Sequence, residues 1–208
     1  MPHTVAVRCL FINLASHDGL LACSDSQSVV ASEPINHRIG DQELIPLLKK
    51  TLDVAGWKTQ DLTHVACVTG PGGFMSLRVA VAFANTLIHR LRIFGGGIHL
   101  SDLFQIRASN QDFVWLHSTK KHELFVRGFG LFAALWPEAT NLSTDVLLEQ
   151  MPRNTAWAGE LIPEHADLFR AKQPAPVTLQ PLADVLPVFL GHQKFSQNLL
   201  EPWYGREW

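Results

Sequence analysis

The sequence predicts an α/β protein of two successive units, each a mixed sheet flanked by helices. Short apolar, β-rich runs such as "VRCLFINLA" and "HVACVTG" alternate with longer segments of helical period. A pair of hairpin-like runs opens the chain, and a second pair opens again after Asn110. The helical segments fall between strand-like runs, where crossovers returning to a sheet belong.

The elements follow in order. Thr4 to Leu14 is almost uninterruptedly apolar, as expected of a strand buried on both faces. "SHDG" is a turn signal, "LLACSD" the returning strand, and "SVVASEP" a third strand stopped by Pro34. In "DQELIPLLKKTLDVAG", Leu44, Leu48, Leu52 and Ala55 share one helical face, with Asp41 to cap its start and Gly56 its end. Pro46 near the first turn implies a slight kink or a later start. "HVACVTG" reads as a buried strand, Phe74 to Leu91 as a helix, "IFGGGIHL" as a strand, and Ser101 as the cap of a helix reaching Ala108. In the second cycle "FVWLHS" and "ELFVRGFGLF" flank a turn at "KKH". "TAWAGE" then makes a short strand, and "PEHADLFRA" and "PLADVLPVFLGH" make helices. The expected division is 1–109 and 110–208, with the aromatic "LEPWYGREW" packing back onto the first unit.

Composition narrows the class. With 47% hydrophobic and 17% charged residues and a net charge of −2, the chain has no overall field for steering toward nucleic acid. Cys9, Cys23 and Cys67 lie in apolar strand-like runs without CxxC spacing, which reads as free thiols of a reducing compartment. The opening "MPHTVAVRCLFINLA" has too short an apolar core for a signal peptide, and no uncharged run is long enough for a membrane span. A cytoplasmic protein without membrane contact is expected.

"VTGPGGFMSLRVAVAFANTL" raises the question of a phosphate cradle. A P-loop needs Lys-Ser or Lys-Thr after its glycines, and Met75 stands where the third glycine of the dinucleotide fingerprint belongs. Gly73, Ser76 and Arg78 remain as a candidate anion site at a helix N-terminus. The helix itself is apolar almost all round. Leu77, Val81, Ala84, Ile88 and Leu91 form one stripe, while Val79, Ala80, Ala82, Phe83 and Leu87 cover much of the rest. One side is for the sheet, and the other for a neighbouring helix or another chain.

These residues resemble the bacterial TsaB (YeaZ) family. Its "LLPLIDELL", "DLDAIAV" and "GPGSFTGLRIG" patterns correspond here to "LIPLLKKTL", "DLTHVACV" and "GPGGFMSLRVA". The likeness continues through "GGGIHLSDL", "ELFVRGFG" and "LEPWYGRE", and is weak around 135–155 and 170–195. The resemblance implies a duplicated RNase H-like fold of the actin and sugar-kinase superfamily, with a reduced second half. It also implies a non-catalytic scaffold or activator that pairs with a TsaD-like enzyme, which transfers threonylcarbamoyl to adenosine 37 of tRNA. A TsaE-like ATPase would join the pair, and a second copy of the chain is the alternative occupant of the same surface. Leu44, Leu48, Gly72, Gly73, Phe74, Leu77, Arg78 and Val81 would form that surface. No catalytic residue, metal or cofactor of its own is implied; ATP and Mg would enter only through partner subunits, and tRNA only through the complex.

Two departures bear on chemistry. Asn13 stands where the family has a strand-end aspartate, and His117 stands near the position of the second. Neither suits Mg²⁺ as a carboxylate does. Asp18 and Glu123 are the substitutes in or beside the turns. No histidine pair is spaced i, i+4, since His117 and His122 are five apart, and no G-x-S-x-G elbow is present. An active ATP-dependent phosphotransferase or nucleotide-binding enzyme of the same fold is the alternative, and a homodimer with a separate binding role is a third reading.

Overall fold

Strand β1 (Cys9–Asn13) has every residue buried, and the first sheet forms around it. The computed structural model describes residues 6–36 and 41–205. β2 (Gly19–Ser24) pairs antiparallel with β1, and β3 (Val29–Ile35) antiparallel with β2. Helix α1 (Asp41–Ala55) crosses to β4 (His64–Gly70), parallel to β1. Helix α2 (Phe74–Leu91) crosses to β5 (Phe94–His99), parallel to β4. The strand order is β3-β2-β1-β4-β5.

Alternation along β1 assigns its faces. Leu10 and Ile12 join one cluster with Leu44, Leu48 and Leu52 of α1 and with Ala80, Val81, Ala84 and Ile88 of α2. Both helices therefore cover the same face; Cys9 and Phe11 on the opposite face are buried as well, which is why β1 reads as a continuous apolar run. Pro34 lies inside β3 rather than ending it. β3 is an edge strand, where a residue without an N–H is tolerated. Pro46 lies inside α1 without ending it. The capping expected of Asp41 lies outside the described side chains, and the predicted strand start at Thr4 and the final residues 206–208 lie outside the described residues.

The second unit repeats the plan in shorter elements. β6 (Phe113–Lys120) pairs antiparallel with β7 (Glu123–Phe129), and β7 with β8 (Thr140–Ser143). Helix α4 (Thr144–Gln150) follows, then β9 (Ala156–Glu160), parallel to β6. Helix α5 (Pro163–Phe169) leads on to the two-residue β10 (Ala175–Pro176). The order β10-β9-β6-β7-β8 is that of the first sheet with each strand replaced by its counterpart. The fold is a duplicated RNase H-like α/β fold. Val114 and Leu116 pack into a core with Leu124, Val126, Leu147 and Phe169, and Trp115 on the other face meets Phe104 of α3 (Leu100–Arg107). β8 and α4 fill the stretch where the sequence pattern was weak. Ser101, expected as a cap, lies within α3, where its hydroxyl accepts a hydrogen bond from Arg127 Nη1 at 2.8 Å.

By contacts the chain divides at His99/Leu100 rather than at 109/110, and Leu182–Trp203 returns to the first unit. The returning segment begins with α6 (Leu182–Gly191), which lies along β3. The arm after it is tied at three points. Gly95 N–H donates to Ser196 O at 2.7 Å, and Ser196 N–H to Gly95 O at 2.9 Å. Asn85 on α2 donates to Leu200 O at 2.9 Å and accepts from Leu200 N–H at 2.8 Å. Trp203 N–H donates to Thr69 O at 2.8 Å. A Cβ on Gly96 would lie 2.9 Å from the Phe195 ring, so the bare backbone of β5 admits the arm. Among the described residues no helix is long and apolar enough to cross a membrane.

Two predictions follow from this packing. Asn85→Ala should strand two backbone groups of Leu200 at a cost of about 1–3 kcal/mol. Urea denaturation would report the loss, and limited proteolysis should cut first after residue 193; an unchanged midpoint would show the clamp to be idle. Burial pushes the Cys9 and Cys67 thiols up to about 12 and Cys23 to about 11, from a usual value of 9.0. Above pH about 9 the unfolded chain releases protons that the folded chain retains, so stability should fall as pH rises toward about 11–12. A thiol reagent at pH 8 should label all three only after denaturation, and rapid native labelling would contradict this burial.

Candidate functional site

The glycine turn between β4 and α2 is shaped by its neighbour in the chain's first hairpin. The Gly70–Pro71 peptide is cis, and α2 starts behind Gly73 without a side-chain cap. A Cβ on Gly72 would stand 2.7 Å from Ala15 Cα and 2.8 Å from Ala15 O. Only glycine lets the turn and the β1–β2 loop approach this closely. Gly73 differs: its φ is −60°, and a Cβ there would meet nothing nearer than Ser76 Oγ at 3.5 Å. Gly72 and Gly73, expected to serve one role, are therefore unequal, and only Gly72 is fixed by sterics.

Asn13 is buried beside this turn. Its Oδ1 accepts from the N–H groups of Ala15 and Ser16, both at 3.2 Å, closing the loop that Gly72 abuts. The side chain standing at the family's aspartate position is thus engaged by its own backbone. Of the candidate anion residues, Ser76 sits next to Gly73, and the Arg78 guanidinium lies over the Phe74 ring at 5.2 Å.

Four expected surface residues point inward. Leu44, Leu48, Leu77 and Val81 are all buried, and Leu44, Leu48 and Val81 join the core cluster beneath the first sheet. The stripe chosen from periodicity is the sheet-facing one, because the longest aliphatic side chains on each helix go to the deepest apolar layer. The outward stripe of α2 holds Met75, 49% exposed, and the exposed Ala82, flanked by the half-buried Val79 and Phe83, which also pack against the core. Phe74 is 47% exposed at its start, and Ile45 of α1 is equally exposed. A helix apolar on both sides accounts for both sets.

In the second unit, buried His117 stacks on Trp115, with centroids 5.7 Å apart and planes 3° apart. Its Nδ1 is 3.2 Å from Glu160 Oε2, because β9 runs parallel to β6 with His117 opposite Glu160. Sequence reasoning missed Glu160; its place as the last residue of "TAWAGE" was visible, but its pairing to His117 was not. Glu123, an expected substitute carboxylate, pairs instead with Lys120 at 3.2 Å, and Asp18 is exposed in the β1–β2 turn. The next residue on β6, Ser118, donates its hydroxyl to His165 Nδ1 at 2.7 Å and accepts from Ile162 N–H at 3.2 Å. His165 Nε2 then donates to Lys121 O at 2.9 Å. Ser118 and His165 are 2% and 0% exposed, so the pair staples α5 to β6 and offers no hydroxyl to a hydrolytic substrate.

Comparisons with known proteins agree with this architecture. Residues 36–123 match the TsaD family model, described as tRNA N6-adenosine threonylcarbamoyltransferase. A search of curated proteins gives no significant match. Among solved structures, one from Pseudomonas aeruginosa is described as an uncharacterized protein with similarity to peptidase YEAZ. It matches with a TM-score of 0.66 at 16% identity, over 96% of this chain and 100% of that one. YeaZ from Pseudomonas aeruginosa matches with a TM-score of 0.61 at 15% identity, over 95% of this chain and 99% of that one. The chain is thus TsaB/YeaZ-like in fold, and its residues 36–123 are similar to the TsaD family model.

Proposed function

We propose that the protein is a non-catalytic scaffold or activator that pairs with a TsaD-like enzyme for threonylcarbamoyl transfer to adenosine 37 of tRNA. The observation that carries this reading is the outward stripe of α2: Met75, Val79, Ala82 and Phe83 remain at least partly exposed after the helix has buried its other side. The small side chain of Ala82 lets a partner helix approach closely, and Met75 adapts to an irregular surface. With Phe74 and Ile45 alongside, these residues could seed an interface of standard size, about 1,600 Å² in total. A TsaE-like ATPase would bring ATP and Mg to the assembly, and a second copy of this chain is the competing occupant of the stripe.

The alternative, a phosphotransferase or nucleotide-binding enzyme, has one observation in its favour: Glu160 supplies a carboxylate beside His117. Asn13 weighs against it, since its side-chain oxygen is held by two backbone amides. Calorimetric titration of Mg²⁺-ATP into the purified chain separates the readings. The scaffold reading expects no heat and no phosphate release; micromolar binding that Glu160→Gln removes would put the enzyme first.

Charge placed on the two stripes of α2 should act differently. Met75→Glu and Ala82→Glu leave the charge solvated in the monomer and desolvated in a contact, so the fold should persist while association falls at least about tenfold. Leu77→Glu and Val81→Glu place the charge at buried positions and should unfold the first unit. Copurification with the TsaD-like enzyme of the same genome, with circular dichroism of each variant, is the measurement. Native association by both outward variants would sink the interface. Gly72→Val should likewise impair association by moving the β1–β2 loop, whereas Gly73→Ala should be tolerated; equal behaviour of the two would show that the close approach to Ala15 plays no part.

A further inference from the structure

At the end of the first sheet where β1, β4 and β5 begin, cations and aromatic rings lie together. α2 ends there with His89 and Arg90, and Arg92 follows as its C-cap. All three are exposed, and none forms an ion pair among the described residues. Arg92 has φ 55° and ψ 41°, the left-handed conformation in which glycine ordinarily ends a helix. A cavity of about 220 Å³ opens beside it, lined by Ile88, His89, Arg92, Ile93, Gln197 and Leu199.

Two residues further on, Phe94 is 44% exposed. Its ring stacks on His64 with centroids 5.6 Å apart, and Phe195 meets the same imidazole edge-on at 4.8 Å. Burial holds His64 below the usual imidazole range, so it is a neutral ring at pH 7 and not another cation. Lys194, next to Phe195, is exposed. On the neighbouring strand's approach, Arg8 lies over Trp57 at 5.5 Å, but Asp61 at 3.1 Å neutralises it.

We infer that this end of the first unit binds single-stranded RNA, with Arg90, Arg92 and Lys194 facing phosphates and the exposed Phe94 ring stacking a base. Unpaired cations beside a free aromatic face are the two components of sequence-tolerant single-strand binding. The helix dipole favours cations at this end of α2, Arg92 included, but it does not account for a long side chain at a left-handed position that glycine fills without strain. An acidic peptide would satisfy the cations and leave the Phe94 face without a partner. The net charge of −2 does not oppose this, because the cations are gathered at one end. The inference rests on the tRNA-modification reading for its choice of nucleic acid. It adds to that reading an RNA contact made by this chain itself.

The test is fluorescence anisotropy of a short labelled single-stranded RNA with the full chain, between about 50 and 200 mM salt. Arg90→Ala combined with Arg92→Gly should weaken binding about tenfold or more and lower the salt slope by about 1.4, the value for two phosphate contacts on a single strand. Glycine suits the Arg92 backbone, so this variant should fold at least as well as the parent. Phe94→Ala should weaken binding at least about fivefold without changing the slope. Absence of RNA binding at about 50 mM salt would overturn the inference. Binding that polyglutamate matches and Phe94→Ala leaves unchanged would overturn it in favour of an acidic protein partner. Copurification of the same variants with the TsaD-like enzyme keeps the two ideas apart: loss of RNA with the partner retained is expected here, whereas RNA retained with the partner absent would count against the scaffold alone.

Discussion

The central strand of each sheet has no polar face to offer water, and the rest of the fold answers that constraint. β1 is buried throughout, and β6 is buried from Phe113 to Ser118. In the first unit α1 and α2 cover the same face of β1, and their long aliphatic side chains must point at it. In the second unit Val114 and Leu116 meet one core while Trp115 on the opposite face meets Phe104. Apolar burial at roughly 25 cal/mol per Å² is the term large enough to dictate this arrangement. The hydrogen-bonded features then refine it.

Polar side chains near the strand ends act as fasteners. Asn13 closes the loop after β1, and Ser118 and His165 join β6 to α5. Arg127 joins β7 to α3 through Asp102 at 2.7 Å. Each is a group whose burial would be costly without its partner. Asn13 and the Ser118–His165 pair each hold a strand end to the segment that follows or packs against it.

Much of the architecture was legible because it rests on local pattern. Continuous apolar runs marked β1, β4 and β6, and the all-round apolar character of Phe74–Leu91 marked α2 with both of its ends. The same pattern could not tell which stripe of α2 meets the sheet, since periodicity fixes an angle around the helix and not a direction in the molecule. Leu77 and Val81 accordingly point inward, while Met75 and Ala82 point out. Contacts set by strand pairing were beyond reach. Glu160 meets His117 only because β9 lies beside β6, and Asn85 meets Leu200 across 115 residues of sequence. β8 and α4 were missed because the run after Trp136 is polar and irregular, with the helix start carried by one cap, Ser143, whose hydroxyl accepts from Val146 N–H at 3.4 Å.

The first sheet has two edges, and among the described residues each carries an obstacle to a foreign strand. On β3, Pro34 has no N–H to donate, and α6 lies along the strand. On β5, Gly95 already exchanges both of its hydrogen bonds with Ser196 of the chain's own arm. Recognition by strand addition, a common way for an α/β unit to capture an extended peptide, is therefore obstructed at Pro34 on one side and at Gly95 on the other. On the helices and turns, side chains rather than backbone set the terms of any contact. A surface of that kind can drift by point substitution without disturbing the sheet beneath it.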